Sequence, residues 1–80
     1  MKPEEIQQLI ENHLPGCTAT VASDDQTHYE ATVISNAFEG KRRLQRHQLV
    51  YAALGERVGR EIHALSIAAF TPDEWQARSA

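Results

Sequence analysis

The spacing of apolar residues changes period abruptly at Pro15-Gly16, and a chain that switches period so early must combine helix with strand. Before the break, Ile6, Leu9, Ile10, His13 and Leu14 recur at the i, i+3, i+4, i+7, i+8 spacing of one helix face. Pro3 is tolerated in the first turn, and Glu4 and Glu5 lie next to the positive helix end. After the break, Cys17 to Ala22 alternates small apolar residues with threonines, as a half-buried strand does. Ser23-Asp24-Asp25-Gln26 reads as a turn. From His28 the alternation resumes, with Tyr29, Ala31 and Val33 on one face and His28, Glu30 and Thr32 on the other, so the two strands are expected to form a hairpin.

The second half switches period again. Ser35 to Gly40 is a connector with one bulky apolar residue, Phe38, and Gly40 is free to take a positive φ where the chain turns. A second helix is expected next, with a core stripe of His47, Val50, Tyr51, Leu54 and Val58, widened by Leu49, Ala52 and Ala53 and weakened at its end by Gly55 and Gly59. Ile62 to Phe70 then gives a third strand with His63, Leu65, Ile67 and Ala69 on one face. Thr71 caps a short last helix, with Pro72 at its first position, Glu74 completing a capping box and Trp75 as its anchor. The order α-β-β-(turn)-α-β-α over 80 residues predicts a single α+β domain, 1–80. Its three-stranded sheet should carry the helices on one side, since only one face of each strand is consistently apolar.

Composition removes several classes of function. With 41% apolar and 24% charged residues the chain is ordinary globular material, and its scarcity of aromatics leaves the core to Leu, Ile, Val and Ala. A net charge of −3 argues against a domain whose whole surface binds nucleic acid, although a local basic patch remains open. One cysteine, Cys17, excludes an internal disulfide and a CxxC motif, and nothing in the thiol count requires an oxidising compartment. Met1-Lys2-Pro3-Glu4-Glu5 lacks the pattern of a signal peptide and no apolar run is long enough to span a bilayer, so a cytoplasmic setting is expected. No Ser/His/Asp order, paired-carboxylate motif, Walker loop or HExxH occurs, and Asp24-Asp25 reads as hairpin-turn chemistry; no catalysis is expected.

Lys41, Arg42, Arg43 and Arg46 hold four of the eight Lys and Arg residues, at a turn leading into a helix N-terminus. That arrangement suits a phosphate and equally suits an acidic protein partner or a solvated turn. No aromatic residue interleaves with the basic ones, so base stacking has no evident platform.

The stretch Phe38-Glu39-Gly40-Lys41 followed by Leu44-Gln45-Arg46-His47-Gln48-Leu49-Val50-Tyr51-Ala52-Ala53-Leu54 resembles the central motif of the BolA family. Ile62-His63-Ala64-Leu65-Ser66-Ile67 followed by Thr71-Pro72-Asp73-Glu74-Trp75 resembles the family's closing strand and helix, and the compact hairpin is similar to that of the bacterial IbaG branch. Two separated motifs in the right order make a chance match improbable. The resemblance implies a fold related to the type II KH domain, although the KH clamp GxxG is half present, Gly40-Lys41-Arg42-Arg43 ending in arginine. It also implies partnership with a monothiol CGFS glutaredoxin in which a 2Fe-2S cluster, with glutathione, bridges the two proteins in iron homeostasis and stress response, and none is expected in the isolated chain, a monomer or weak homodimer. Regulatory DNA binding is attributed to family members as well, which would use the basic turn.

On the residues alone, His63 reads as a hydrogen-bonded core histidine beside Leu65 and Ile67; the resemblance makes it the family's histidine ligand. A second ligand is expected from the hairpin region. His28, at the start of strand two, is one candidate, and Cys17 is the alternative unless burial makes its thiol inert. His13 and His47 fall on apolar helix stripes and are assigned packing roles.

Overall fold

The structure, a computed structural model, describes residues 1–79. Helix α1 (Pro3–His13) leads into β1 (Thr18–Ala22) and β2 (His28–Ile34), and after a 3-10 turn at Asn36–Phe38 the chain forms α2 (Arg43–Leu54), β3 (Ala64–Phe70) and α3 (Pro72–Ser79). The sheet order is β1-β2-β3, with β1 antiparallel to β2 and β2 parallel to β3. A parallel neighbour cannot be reached through a tight turn, and α2 is the crossover that returns the chain to the same end of the sheet.

The alternation read in the sequence sets which face is covered. Ala19 and Val21 of β1 and Tyr29, Ala31 and Val33 of β2 are buried under Ile6, Ile10 and Leu14 from the first helical segment and Val50 and Leu54 from α2. The opposite face keeps His28, Glu30, Ala64 and Ser66 exposed. Phe38, fully buried, closes the layer between the connector and α2. Ser35 fixes that connector: its Oγ accepts from the Ala37 N–H at 3.0 Å and donates to the Pro15 carbonyl at 3.3 Å, while its own N–H donates to the Phe70 carbonyl at 3.0 Å.

β1 is an edge strand, and α1 satisfies it. Gln7 Oε1 accepts from the Val21 N–H at 3.1 Å and Glu11 Oε2 from the Ala19 N–H at 3.0 Å. Two polar side chains one helical turn apart thus match two outward amides two residues apart on a strand, which blunts an edge otherwise open to pairing.

Three sequence expectations are corrected. α2 stops at Leu54, because Gly55 takes φ +59° and reverses the chain, so Val58 lies beyond the helix and Tyr51 is exposed instead of joining the core stripe. β3 begins at Ala64 and not at Ile62; Ile62 is buried and bridges Val58, and a bend at residue 63 breaks the alternation before the strand starts. His13, finally, is exposed in the last turn of α1 and takes no part in the packed face.

Because Phe38 is enclosed by both layers, Phe38→Ala should cost about 3–5 kcal/mol, a large share of the ~5–15 kcal/mol by which a small domain is stable. Urea denaturation followed by far-ultraviolet circular dichroism should show the midpoint collapse; a shift of a few tenths of a molar would contradict this packing.

Candidate functional site

The register of β2 against β3 decides which candidate ligands can meet. His28 is opposite Ala64, and the Ala64 N–H donates to the Thr27 carbonyl at 3.3 Å, so His63 adjoins the start of β2. Strand spacing and rise put the backbones of His28 and His63 roughly 6 Å apart. The bend before β3 turns His63 out of the interior, and the residue is exposed. The expectation that it shares a buried face with Leu65 and Ile67 therefore fails, since a residue in the bend escapes the strand's alternation.

His28 is exposed too, but it is held. Its Nδ1 lies 2.8 Å from Asp25 Oδ2, while Asp25 Oδ1 accepts the N–H groups of Thr27 and His28, each at 2.9 Å. These bonds, the His28 and Thr27 amides and the ring together, hold the Asp25 carboxyl well below the usual carboxylate range. The same contacts stabilise a turn in which Gln26 adopts φ +55°, a conformation uncommon outside glycine. Asp25 was legible only as a turn former; the signal for its second role is an acidic residue three positions before a histidine across a tight hairpin.

Cys17 is at the wrong end of the sheet. It precedes Thr18, which pairs with Ile34, whereas His28 is six residues earlier on β2, a separation of about 20 Å along the strand. Its thiol is half-buried, and burial together with the Glu11 carboxylate pushes it up to about 11. Cys17 is thus set aside as the alternative to His28: it lies too far away to bind the same metal centre as His63, and its raised pKa disfavours the thiolate. His47 is half-buried on α2, and burial followed by Arg43 pushes its pKa down, in keeping with a packing role. Among the described residues no group of three or more His, Cys, Asp and Glu is arranged to hold a metal ion, so the paired imidazoles make at most half of a site.

The basic cluster divides. Lys41, Arg42 and Arg43 are exposed at the entrance to α2. Arg46 is not part of that surface. Its Nη1 and Nη2 fork onto Glu74 Oε1 and Oε2 at 2.6 and 3.2 Å, Nη1 also donates to the Ala69 carbonyl at 3.1 Å, and Nε donates to the Lys41 carbonyl at 2.9 Å. The guanidinium lies 5.9 Å from the Phe38 ring centre. Glu74 meanwhile accepts from the Thr71 N–H at 2.9 Å and donates its own N–H to Thr71 Oγ1 at 3.2 Å, the capping box expected from the sequence. Arg46 and Glu74 therefore clamp α3 to the end of β3, and Phe70 and Trp75, with ring centres 5.3 Å apart, add an apolar contact there.

The assembly is a small two-layer α+β domain, with two exposed histidines at one end of the sheet and the exposed Lys41, Arg42 and Arg43 at the other. Comparison with known proteins agrees. The model of the BolA-like protein family matches residues 4–74, and the chain belongs to the BolA family. It is 48% identical over 59 residues to BolA-like protein 1 of Homo sapiens, covering 74% of this chain and 43% of that protein. It is 39% identical over 75 residues to the DNA-binding transcriptional regulator BolA of Vibrio cholerae, covering 94% of this chain and 67% of the relative. The chain thus spans under half the length of the human protein. Among solved structures, a BolA homologue from Coxiella burnetii superposes with a TM-score of 0.85 at 42% identity, covering 95% of this chain and 97% of the other. No helix among the described residues is long and apolar enough to cross a membrane.

The clamp has a pH signature. Arg46, and after it the Thr71 amide, draw the Glu74 carboxyl down to about 2, from an unfolded value near ~4.3. A depressed carboxylate stabilises the fold fully above the unfolded pKa and loses that contribution as the pH falls through the folded one. Glu74→Gln should accordingly melt below the wild type at pH 6, with the difference closing between pH 5 and pH 2; thermal melts across that range check it, and a difference independent of pH would refute the clamp.

Proposed function

We propose that this BolA-family domain is a non-catalytic partner of a monothiol glutaredoxin, with His63 and His28 contributing ligands to a bridging 2Fe-2S cluster completed by the partner and its glutathione. The observation that carries the reading is the juxtaposition of two exposed imidazoles at adjoining ends of β2 and β3. Their chemistry fits: imidazole is a borderline ligand, and histidine replaces cysteine on one iron in Rieske-type centres. Such a cluster, once bound, supplies an electron-accepting and transferable iron–sulfur unit. This chain's part is to present the His28 and His63 rings from neighbouring backbone positions on a surface that a second protein can cover.

Reconstitution with a monothiol glutaredoxin, glutathione, ferrous iron and sulfide should give a coloured heterodimer. His63→Ala and His28→Ala should each lose the wild-type spectrum, while Cys17→Ser should keep it. A histidine variant matching the wild type in stoichiometry and spectrum removes that residue from the site.

A second reading, DNA binding, is favoured by the exposure of Lys41, Arg42 and Arg43 at a helix start and by the name of the Vibrio cholerae relative. It predicts that neutralising Arg42 and Arg43 lowers the slope of log affinity against log salt by about 2, with Arg46 contributing nothing to that slope because Glu74 already holds it. Affinity unchanged by the double substitution would dismiss it.

A further inference from the structure

The hairpin turn does more than reverse the chain. Asp25 uses its two oxygens differently: Oδ1 gathers the backbone N–H groups of Thr27 and His28, with Ser23 Oγ at 3.4 Å, and Oδ2 is left for the His28 ring at 2.8 Å. An ionised carboxylate has no hydrogen to give, so the short contact requires the hydrogen to sit on Nδ1. A neutral imidazole protonated on Nδ1 has its one lone pair on Nε2. We propose that Asp25 is a positioning residue that locks the His28 ring in the Nδ1–H tautomer and aims a lone pair on Nε2 away from the turn, at the sheet end shared with His63.

The arrangement is that of a carboxylate–histidine pair, the usual outer support of a metal-ligating imidazole, which fixes ring orientation and raises the basicity of the ligating nitrogen. Ring orientation at a strand end is otherwise weakly restrained, since the His28 side chain is 70% exposed. The backbone bonds to Oδ1 fix Asp25 itself, so the support is rigid where the ring alone would not be. The tautomer lock is a property of the chain by itself; its purpose rests on the reading of His28 as a cluster ligand.

Asp25→Asn separates the two. The amide oxygen can keep the Oδ1 bonds to Thr27 and His28, while the amide nitrogen takes the place of Oδ2 and donates to Nδ1, which forces the ring hydrogen onto Nε2. Long-range proton–nitrogen correlation spectra of the chain without cluster, at a pH where the rings are neutral, should show His28 as the Nδ1–H tautomer in the wild type and as Nε2–H in Asp25→Asn. The Thr27 and His28 amide signals should stay in place. His28 in the Nε2–H form in the wild type, or no change of tautomer in the variant, overturns the lock whatever the cluster does. With the same glutaredoxin, glutathione, iron and sulfide mixture, Asp25→Asn should lose its cluster about ten- to a hundredfold faster than the wild type. Equal loss rates, in a setting where His28→Ala abolishes the cluster, overturn the positioning role. A wild-type cluster spectrum from His28→Ala instead overturns the ligand reading and the purpose assigned to the lock, leaving the tautomer result to stand by itself.

Discussion

Parallel pairing of β2 with β3 is the constraint from which the rest of this structure follows. It obliges the chain to leave the sheet after Ile34, cross its apolar face as α2, and come back with Ala64 beside His28. The crossover puts Val50 and Leu54 over the sheet and, through the connector, places Phe38 between the layers. It also sends the two ends of the domain in different chemical directions. One end gathers the hairpin turn and the start of β3; the other gathers the α2 entrance, the end of β3 and α3.

At that second end, charge is divided between structure and surface. Four basic residues look equivalent in the sequence, yet the fold gives Arg46 to Glu74, to two carbonyls and to the face of Phe38, and leaves the other three outside. A bidentate guanidinium fork with low exposure on the arginine side is the kind of ion pair that fixes geometry, unlike most pairs on a protein surface. Through it the last helix, which adds none of its described side chains to the buried core, is joined to the sheet.

Much of this was legible in advance where periodicity and local chemistry agree. The hairpin alternation of Tyr29, Ala31 and Val33, the connector closed by Phe38, and the capping box of Thr71 and Glu74 all stand as read. Reading failed where a single residue overrode the period. Gly55 ended α2 one turn before Val58, and the bend at residue 63 took His63 off the face that counting by twos assigns it. It also failed where partners are far apart in the chain: the link from Gln7 and Glu11 to the edge of β1, the distance of Cys17 from His63, and the Arg46 fork depend on three-dimensional register that one-dimensional spacing does not contain. Exposure of His63, the property on which its proposed role turns, belongs with the local overrides, since it follows from the bend.

The rings of His28 and His63 come from segments joined only by the closing of β2 on β3, with the whole crossover helix lying between them in the chain. In an unfolded chain they are strangers, separated by a long and costly loop. Whatever grips both at once grips the native protein alone, and so must stabilise the fold by mass action and act as a seal on the pairing of β2 with β3.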